Sequence, residues 1–173
     1  MMIEPASLSA RPEAADASTF EAFFLAQHER LFQALYLLTG DRFEADDLAQ
    51  EALLRTYERW DRVSAMESPS GYVYRTALNL HRSRLRSLLV WMRRGFAAVP
   101  SEDLSEPVSA SHDIRMALMG LPRGQREAVI LVEWLGLESA EAGRVLGIDG
   151  SSVRGRIHRA RASLREQLED DHE

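Results

Sequence analysis

The chain has 173 residues, of which 45% are hydrophobic and 28% are charged, so it suits one or two small globular domains and excludes disorder over most of its length. Cysteine is absent, which excludes disulfide bonds, thiol catalysis and thiolate metal sites. The net charge is −6. We expect a cytoplasmic protein, because the acidic N-terminus lacks the apolar run of a signal peptide and no apolar stretch reaches the length of a membrane span.

Positive charge is concentrated in one part of this acidic chain. Residues 150–165 contain five arginines and one histidine but no acidic residue. This distribution excludes a general nucleic-acid coat and is compatible with one basic reading helix on an otherwise acidic protein. All the Lys and Arg positions, 21 in number, are arginine, but codon bias from a GC-rich genome explains this preference, so it is not evidence for a site.

The N-terminal segment is predicted to lack structure up to the first helix. Residues 1–17 are rich in Ala, Glu, Pro and Ser, and we expect them to be disordered. Ser18 and Glu21 have the spacing of a capping box, which predicts that a helix begins there. That helix has one apolar face and ends at Gly40.

Two further helices complete the first predicted domain. One runs from about Phe43 to Trp60, and its acidic first half suits either a helix N-terminus or a docking face for a basic partner. After a loop over residues 61–70, in which Ser68 and Pro69 supply a cap and a first-turn proline, the other runs over about 71–91. The apolar sides of the two helices are expected to contain Leu48, Ala52, Leu53 and Tyr57, and Val73, Ala77, Leu80 and Leu88.

A second helical domain is predicted after a linker. Residues 93–112 contain Gly95, two prolines and four serines, which is typical of a flexible linker. An amphipathic helix begins near Asp113, and Pro122 opens another that ends at Gly136. Since no segment shows strand alternation, the predicted fold is all-α, with two small helical domains.

Residues 139–161 carry the pattern of a helix-turn-helix. Gly147 supplies the positive φ of a tight turn between two helices, and Gly143 lies where their backbones cross. Val153 can fill that crossing, and Asp149 can cap the second helix. The basic residues of the second helix lie outside its apolar stripe, so its N-terminal turns could enter a major groove. The alternative is a solvated basic face.

Residues 59–86 interleave aromatic side chains with arginines. Such a surface can stack unpaired bases and hold phosphates. In the alternative interpretation Trp60 and Tyr72 belong to the core while the arginines solvate the surface, and residue spacing alone favours this alternative. Asn79 could make an interhelical contact or hydrogen-bond a base edge.

Three stretches together resemble the RNA polymerase sigma factors of the small extracytoplasmic-function (ECF) group. Residues 46–57 (DDLAQEALLRTY) are similar to the helix of region 2 that binds core polymerase. Residues 71–80 (GYVYRTALNL) are similar to the −10 element helix. Residues 121–161 are similar to region 4, and the three occur in the family's order.

The resemblance implies a domain division and a set of contacts. Region 2 would occupy residues 18–92, the linker 93–112, region 4 113–168 and an acidic tail 169–173. The β′ coiled coil of polymerase would dock on Asp47, Gln50 and Glu51. Single-stranded −10 DNA would contact Trp60, Arg62, Tyr72, Arg75, Asn79 and Arg82. Double-stranded −35 DNA would contact Arg154, Gly155, Arg156, His158, Arg159 and Arg161.

The resemblance also implies partners and leaves one alternative. The β flap would bind apolar residues of region 4, and an anti-sigma factor would hold the protein inactive. The sequence departs from the family pattern at Glu138, a poor cap for the first helix of the turn motif, at Ala142, at Gly155, which weakens the second helix, and in the loop 61–70. The alternative function is a freestanding helix-turn-helix regulator that does not bind polymerase. An enzyme is not expected, because no residue pattern predicts a metal, a cofactor or a catalytic group.

Overall fold

The computed structural model describes residues 19–95 and 110–170, and these residues form helices and turns without any strand. This confirms the predicted all-α fold class. The predicted disordered residues 1–17, the cap at Ser18 and the end of the acidic tail lie outside the described residues, as does most of the linker. The helices are α1 (Phe20–Thr39), α2 (Arg42–Tyr57), α3 (Trp60–Val63), α4 (Pro69–Arg93), α5 (Ala110–Met119), α6 (Arg123–Val129), a π-helical segment (Ile130–Trp134), α7 (Ser139–Leu146) and α8 (Gly150–Asp170).

The N-terminal half is built from α1, α2 and α4, which pack around a common core. Thr19 caps α1 by accepting a hydrogen bond from the backbone nitrogen of Ala22, and Gly40 ends that helix with a φ of 73°. Ser68 caps α4 by accepting from the nitrogen of Gly71 at 3.0 Å, as its sequence position predicts. The fully buried side chains of this core include Leu31, Leu48, Leu53, Val63 and Val73.

Two residues expected in this core are exposed. Leu88 lies in the last turns of α4, in a run of apolar side chains up to Met92 that are all exposed. Tyr57 is the last residue of α2 and is also exposed, with its ring 4.9 Å from that of Phe20. The prediction for Leu88 was wrong because the helical period indicates a face without indicating what covers that face, whereas Tyr57 does contact α1 but only with part of its ring.

The C-terminal half contains α5 to α8. The first of these begins at Ala110, inside the segment predicted as linker. After α6 the backbone changes to a π-helical segment, in which the nitrogen of Leu135 donates to the carbonyl oxygen of Ile130 at 3.0 Å. Gly136, with a φ of 71°, then ends this segment.

The two halves pack directly against each other through a seam of apolar side chains. On one side of the seam lie α1 and α4, and on the other lie α5, the π-helical segment and α7, together with Glu127 of α6. The seam is therefore part of one continuous hydrophobic core that spans both predicted domains. Its lining includes Leu31, Leu35, Leu38, Tyr74, Leu78, Ile130, Leu131 and Leu135.

Candidate nucleic-acid interface

The turn between α7 and α8 has the geometry that its glycines predict. Gly147 has a φ of 74°, and its nitrogen donates to the carbonyl oxygen of Gly143 at 2.8 Å. A Cβ atom placed on Gly143 would lie 2.6 Å from the carbonyl oxygen of Ile148, so only glycine fits there. The helix-turn-helix is thus held by backbone contact at the crossing, with Val153 fully buried beside it.

Asp149 caps α8 strongly, whereas α7 has no side-chain cap. The Asp149 carboxylate accepts from the backbone nitrogen of Ser152 at 2.8 Å and from the hydroxyl of Ser152 at 2.9 Å. The hydroxyl of Ser151 also donates to it, and these hydrogen bonds hold the pKa of Asp149 far below its usual value. Glu138 makes no capping hydrogen bond to α7, as expected.

Helix α8 presents a basic face to solvent along its N-terminal turns. Val153, Ile157 and Ala160 are buried against the domain. The exposed residues of the predicted −35 set are Arg154, His158, Arg159 and Arg161. Gly155 is half-buried, and an atom added at its Cβ position would touch the Arg159 guanidinium at 3.6 Å, so the Arg159 side chain extends past it.

Two members of the predicted −35 set contact other residues of the chain. The half-buried Arg156 turns toward α6, where its Nη1 atom lies 3.5 Å from the carbonyl oxygen of Gly124. Arg161 pairs with Glu133 of the π-helical segment, with 2.5 Å between Nη2 and Oε1. Arg156 is therefore placed to orient α8, while Arg154, His158 and Arg159 face outward.

The residues predicted for the −10 element lie on α3, on α4 and beside the loop between them. Arg62, Arg75 and Asn79 are exposed, so Asn79 is not buried in an interhelical contact. The half-buried Tyr72 accepts a hydrogen bond at its hydroxyl from Arg59 at 3.3 Å. This surface borders α7, because the hydroxyl of Ser68 donates to the carboxylate of Glu141.

Trp60 and Arg82, the other two members of that set, are engaged inside the protein. The Trp60 ring lies 5.4 Å from that of Phe20 and 5.0 Å from that of Phe23, so it packs in an aromatic cluster with α1. Arg82 forms two hydrogen bonds to the carboxylate of Glu127 in α6, at 3.2 and 2.7 Å. In this conformation neither side chain is free to contact a base.

The acidic face of α2 carries the predicted polymerase-binding residues. Asp47 and Gln50 are exposed, and Gln50 donates to Asp46 at 2.7 Å. Glu51 pairs with Arg55 at 2.7 Å and with Arg84 of α4 at 3.2 Å. Glu51 thus connects α2 to α4, and the 74% exposed Asp47 lies 3.8 Å from the same Arg84.

Sequence reasoning missed two apolar residues on the same face of α2. Phe43 is 77% exposed and Leu54 is 57% exposed. They stand four residues before Asp47 and four residues after Gln50, so all four side chains follow one helical stripe. The signal in the sequence was an apolar residue four positions before Asp47 and another four positions after Gln50.

The described residues offer neither a metal site nor a membrane-spanning helix. In residues 19–95 and 110–170, no group of three or more His, Asp or Glu side chains is placed to hold a metal ion. Over the same residues, no helix combines the length and the apolar character needed to cross a membrane.

Comparison with known proteins identifies the family. Residues 23–88 match the family model of sigma-70 region 2, and residues 111–164 match that of sigma-70 region 4. The RNA polymerase sigma-E factor of Streptomyces avermitilis is 30% identical, with 87% of this chain and 85% of the relative covered. The ECF RNA polymerase sigma factor SigW of Bacillus subtilis is also 30% identical, over 82% of this chain and 84% of the relative.

A solved structure shares the fold. The sigma factor RpoE of Bartonella quintana, crystallised with the anti-sigma factor NepR, superposes with a TM-score of 0.74 at 23% identity, over 87% of this chain and 96% of that one. Three findings indicate the same family. They are the helix-turn-helix, the two family matches and the relatives that align over most of their length. The chain therefore belongs to the sigma-70 family of RNA polymerase sigma factors and, within it, to the ECF group.

Proposed function

We propose that this ECF sigma factor works through separate surfaces on its two halves. Helix α2 docks on core RNA polymerase, α3 and α4 hold the single-stranded −10 element, and α8 enters the major groove of the −35 element. In this proposal the domains are residues 18–92 and 113–168, joined by residues 93–112. The protein binds and directs polymerase and has no chemistry of its own.

The observation that carries the proposal is the exposed face of α8. Arg154, His158 and Arg159 project from a helix whose N-terminus is fixed by Asp149 and whose crossing with α7 is fixed by Gly143. Arginine can donate two hydrogen bonds to the O6 and N7 atoms of guanine, and histidine can donate one to an acceptor on a base edge. A rigid helix with three such side chains on one side is suited to duplex DNA.

The α2 stripe supports the polymerase surface. Phe43 and Leu54 supply apolar area, while Asp47 and Gln50 lie between them. An exposed apolar stripe that carries the Asp47 carboxylate suits a basic, partly apolar helical partner, which the polymerase β′ coiled coil would supply. Apolar residues of region 4 would contact the β flap in the same assembly.

The −10 surface is supported by exposed Arg62, Arg75 and Asn79. Their cations and amide can hold phosphates and base edges of an unpaired strand. Tyr72, half-buried beside them, would offer part of its ring for stacking. Arg82 can join this surface only after its hydrogen bonds to Glu127 break. Trp60, which packs against Phe20 and Phe23, would stabilise the position of α3 rather than stack on a base.

Control by an anti-sigma factor and a cytoplasmic location complete the proposal. The Bartonella quintana sigma factor that shares this fold was crystallised with an anti-sigma factor, and such a partner would cover the faces that bind polymerase and DNA. Location in the cytoplasm follows from the proposed work on polymerase and promoter DNA.

The test is a binding titration of the full chain against core RNA polymerase. One-to-one assembly that a second sigma factor displaces is the expected result. A folded helical protein that does not bind core at micromolar concentration would contradict it and favour the freestanding regulator. Duplex DNA binding is measured on the same preparation. A chain that binds duplex DNA but not core would be the freestanding regulator, whereas a chain that binds neither would be inactive.

A further inference from the structure

One carboxylate is buried at the seam between the two halves. The Glu127 side chain is 2% exposed, although glutamate is rarely buried without a partner. Its partner is Arg82 of α4, whose guanidinium donates two hydrogen bonds to the two carboxylate oxygens. Arg123 of its own helix lies further away, at 3.5 Å. The Glu127 charge is thus compensated mainly across the seam.

Polar contacts surround this pair and also cross the seam. Arg30 of α1 donates to the carbonyl oxygen of Leu135 at 2.9 Å. Arg126 and Arg115 donate to the carbonyl oxygens of Leu38 and Gly40 at 3.0 and 3.2 Å, at the end of α1. Carbonyls at a helix end lack intrahelical donors, so the C-terminal half satisfies groups that the N-terminal half leaves unpaired.

The closed arrangement conflicts with the proposed contacts on DNA. Glu127 occupies the Nε and Nη2 edge of the Arg82 guanidinium, and only 20% of the Arg82 side chain is exposed, so a phosphate cannot take that edge while Glu127 holds it. The loop before α4 is also bonded to α7 through Ser68 and Glu141. Promoter contact by Arg82 therefore requires that α6 move away from α4.

We propose that Glu127 is an internal latch: it holds the two halves of the free chain together and occupies Arg82, which single-stranded DNA can reach only when the halves separate. The inference rests on the proposed function, because it takes Arg82 as a −10 contact. A carboxylate suits the role because it binds the arginine fork in the same bidentate manner as a nucleic-acid phosphate. DNA and Glu127 then compete for one side chain.

Separation of the halves can be measured in the full chain. Because the sequence contains no cysteine, A26C and E166C introduce the only two thiols, at exposed positions of α1 and α8. Nitroxide labels on both report the distance between the halves by double electron–electron resonance. We expect one narrow distance in the free protein. A broad distribution in the free protein overturns the closed state.

Glu127→Gln in the labelled chain tests the latch itself. The amide keeps the shape of the side chain but leaves Arg82 without a compensating charge, so we expect a second, longer distance whose population rises about tenfold. Glu133→Gln is the matched control, since Glu133 pairs with Arg161 inside the C-terminal half. It should leave the distance unchanged. Identical distributions in both variants overturn the latch.

A second measurement needs no change at Glu127. A random-sequence 20-nucleotide single-stranded DNA, titrated into the labelled chain, should lower the population of the short distance as it binds. The E127Q chain should bind that DNA about tenfold more tightly, since less of it is closed. Binding without any change of distance overturns the competition. Failure of every variant to bind DNA or core polymerase counts instead against the proposed function.

Discussion

A Cβ atom on Gly143 would lie 2.6 Å from the carbonyl oxygen of Ile148 and 3.2 Å from the backbone of Gly150. Both obstacles are backbone atoms of the turn, so they cannot rotate away as a side chain could. Gly143→Ala is expected to lower the free energy of unfolding by about 1–3 kcal/mol and to weaken duplex DNA binding. Urea unfolding measured by circular dichroism tests this.

Gly155→Ala is the control for that prediction. It lies in α8, where an added Cβ makes only ordinary contact with Arg159 at 3.6 Å. Alanine is the better helix former by about 1 kcal/mol, so this variant should be slightly more stable than the unchanged chain. Equal loss of stability in both variants would show that the Gly143 contact is not the cause.

The second prediction concerns Arg159, which is exposed on α8 in the predicted −35 set. Arg159→Ala should make the free energy of binding to the −35 element less favourable by about 1–3 kcal/mol, because a guanidinium contact to a base edge is lost. Initiation that depends on the −35 element should fall accordingly. Binding to core polymerase should remain. The measurement is transcription from a promoter used by the unchanged chain, together with the core titration.

Arg165→Ala is the control for Arg159, since Arg165 is exposed further along the same helix and lies outside the predicted set. It should change −35-dependent initiation much less. If R159A reduced core binding and initiation equally, the two functions would not lie on separate surfaces.

The third prediction reverses charge on α2. Replacing Asp47 and Glu51 together by arginine should impair assembly with core polymerase, because the acidic face of α2 would then repel a basic partner. The same change removes the pairing of Glu51 with Arg84 at 3.2 Å, so the helical content of the variant must be checked by circular dichroism. Duplex DNA binding by the C-terminal half should survive.

Glu29→Arg is the control for this charge reversal. Glu29 is an exposed acidic residue of α1, bonded only locally to Gln33 at 2.8 Å among the contacts described. It changes net charge in the same direction without touching the α2 stripe. Unchanged assembly of the Asp47 and Glu51 double variant with core would count against the docking assignment.

The fourth prediction is that the chain loses stability at acidic pH and that part of this loss depends on Asp149. The pKa of Asp149 is lowered in the folded chain by hydrogen bonds from Ser151 and Ser152, so its ionised form stabilises the fold. That contribution is complete above the unfolded pKa of about 4 and is lost as pH falls below it. Asp149→Asn should make thermal unfolding less dependent on pH below about 4.

Thermal unfolding followed at several pH values between about 2 and 6 measures this effect. Asp113→Asn, at an exposed position of α5, removes one acid of the same kind elsewhere in the C-terminal half. This variant should keep most of the loss of thermal stability that the unchanged chain shows at low pH. If the unfolding temperature of D149N fell with decreasing pH as steeply as that of the unchanged chain, the result would contradict the role of the cap.

Local patterns predicted the helix-turn-helix well because its determinants are short-range. The turn at Gly147 and the cap at Asp149 depend on residues within a few positions of each other, and both were recognised. The beginnings of helices were predicted within a few residues where a cap was present. The family resemblance rested on the same local motifs, and the comparisons confirmed it.

The seam between the halves could not be predicted in the same way. Its polar contacts join residues far apart in sequence, such as Arg82 with Glu127 and Arg30 with Leu135. One available signal was the run Leu35–Leu38, which is apolar all round α1 and indicates burial on more than one side. The role of Trp60 was likewise decided by Phe20 and Phe23, which lie on another helix.

The seam also sets an order of events while the chain is being made. The N-terminal half can pack α1, α2 and α4 as soon as it leaves the ribosome. The apolar surface formed by Leu35 and Leu78 stays exposed until Ile130 has been synthesised and covers it. About 50 residues separate Leu78 from Ile130, which corresponds to roughly 3 to 10 s of synthesis. During that interval a nascent half-protein carries an uncovered hydrophobic surface, and its protection from aggregation depends on how soon α6 and the π-helical segment emerge.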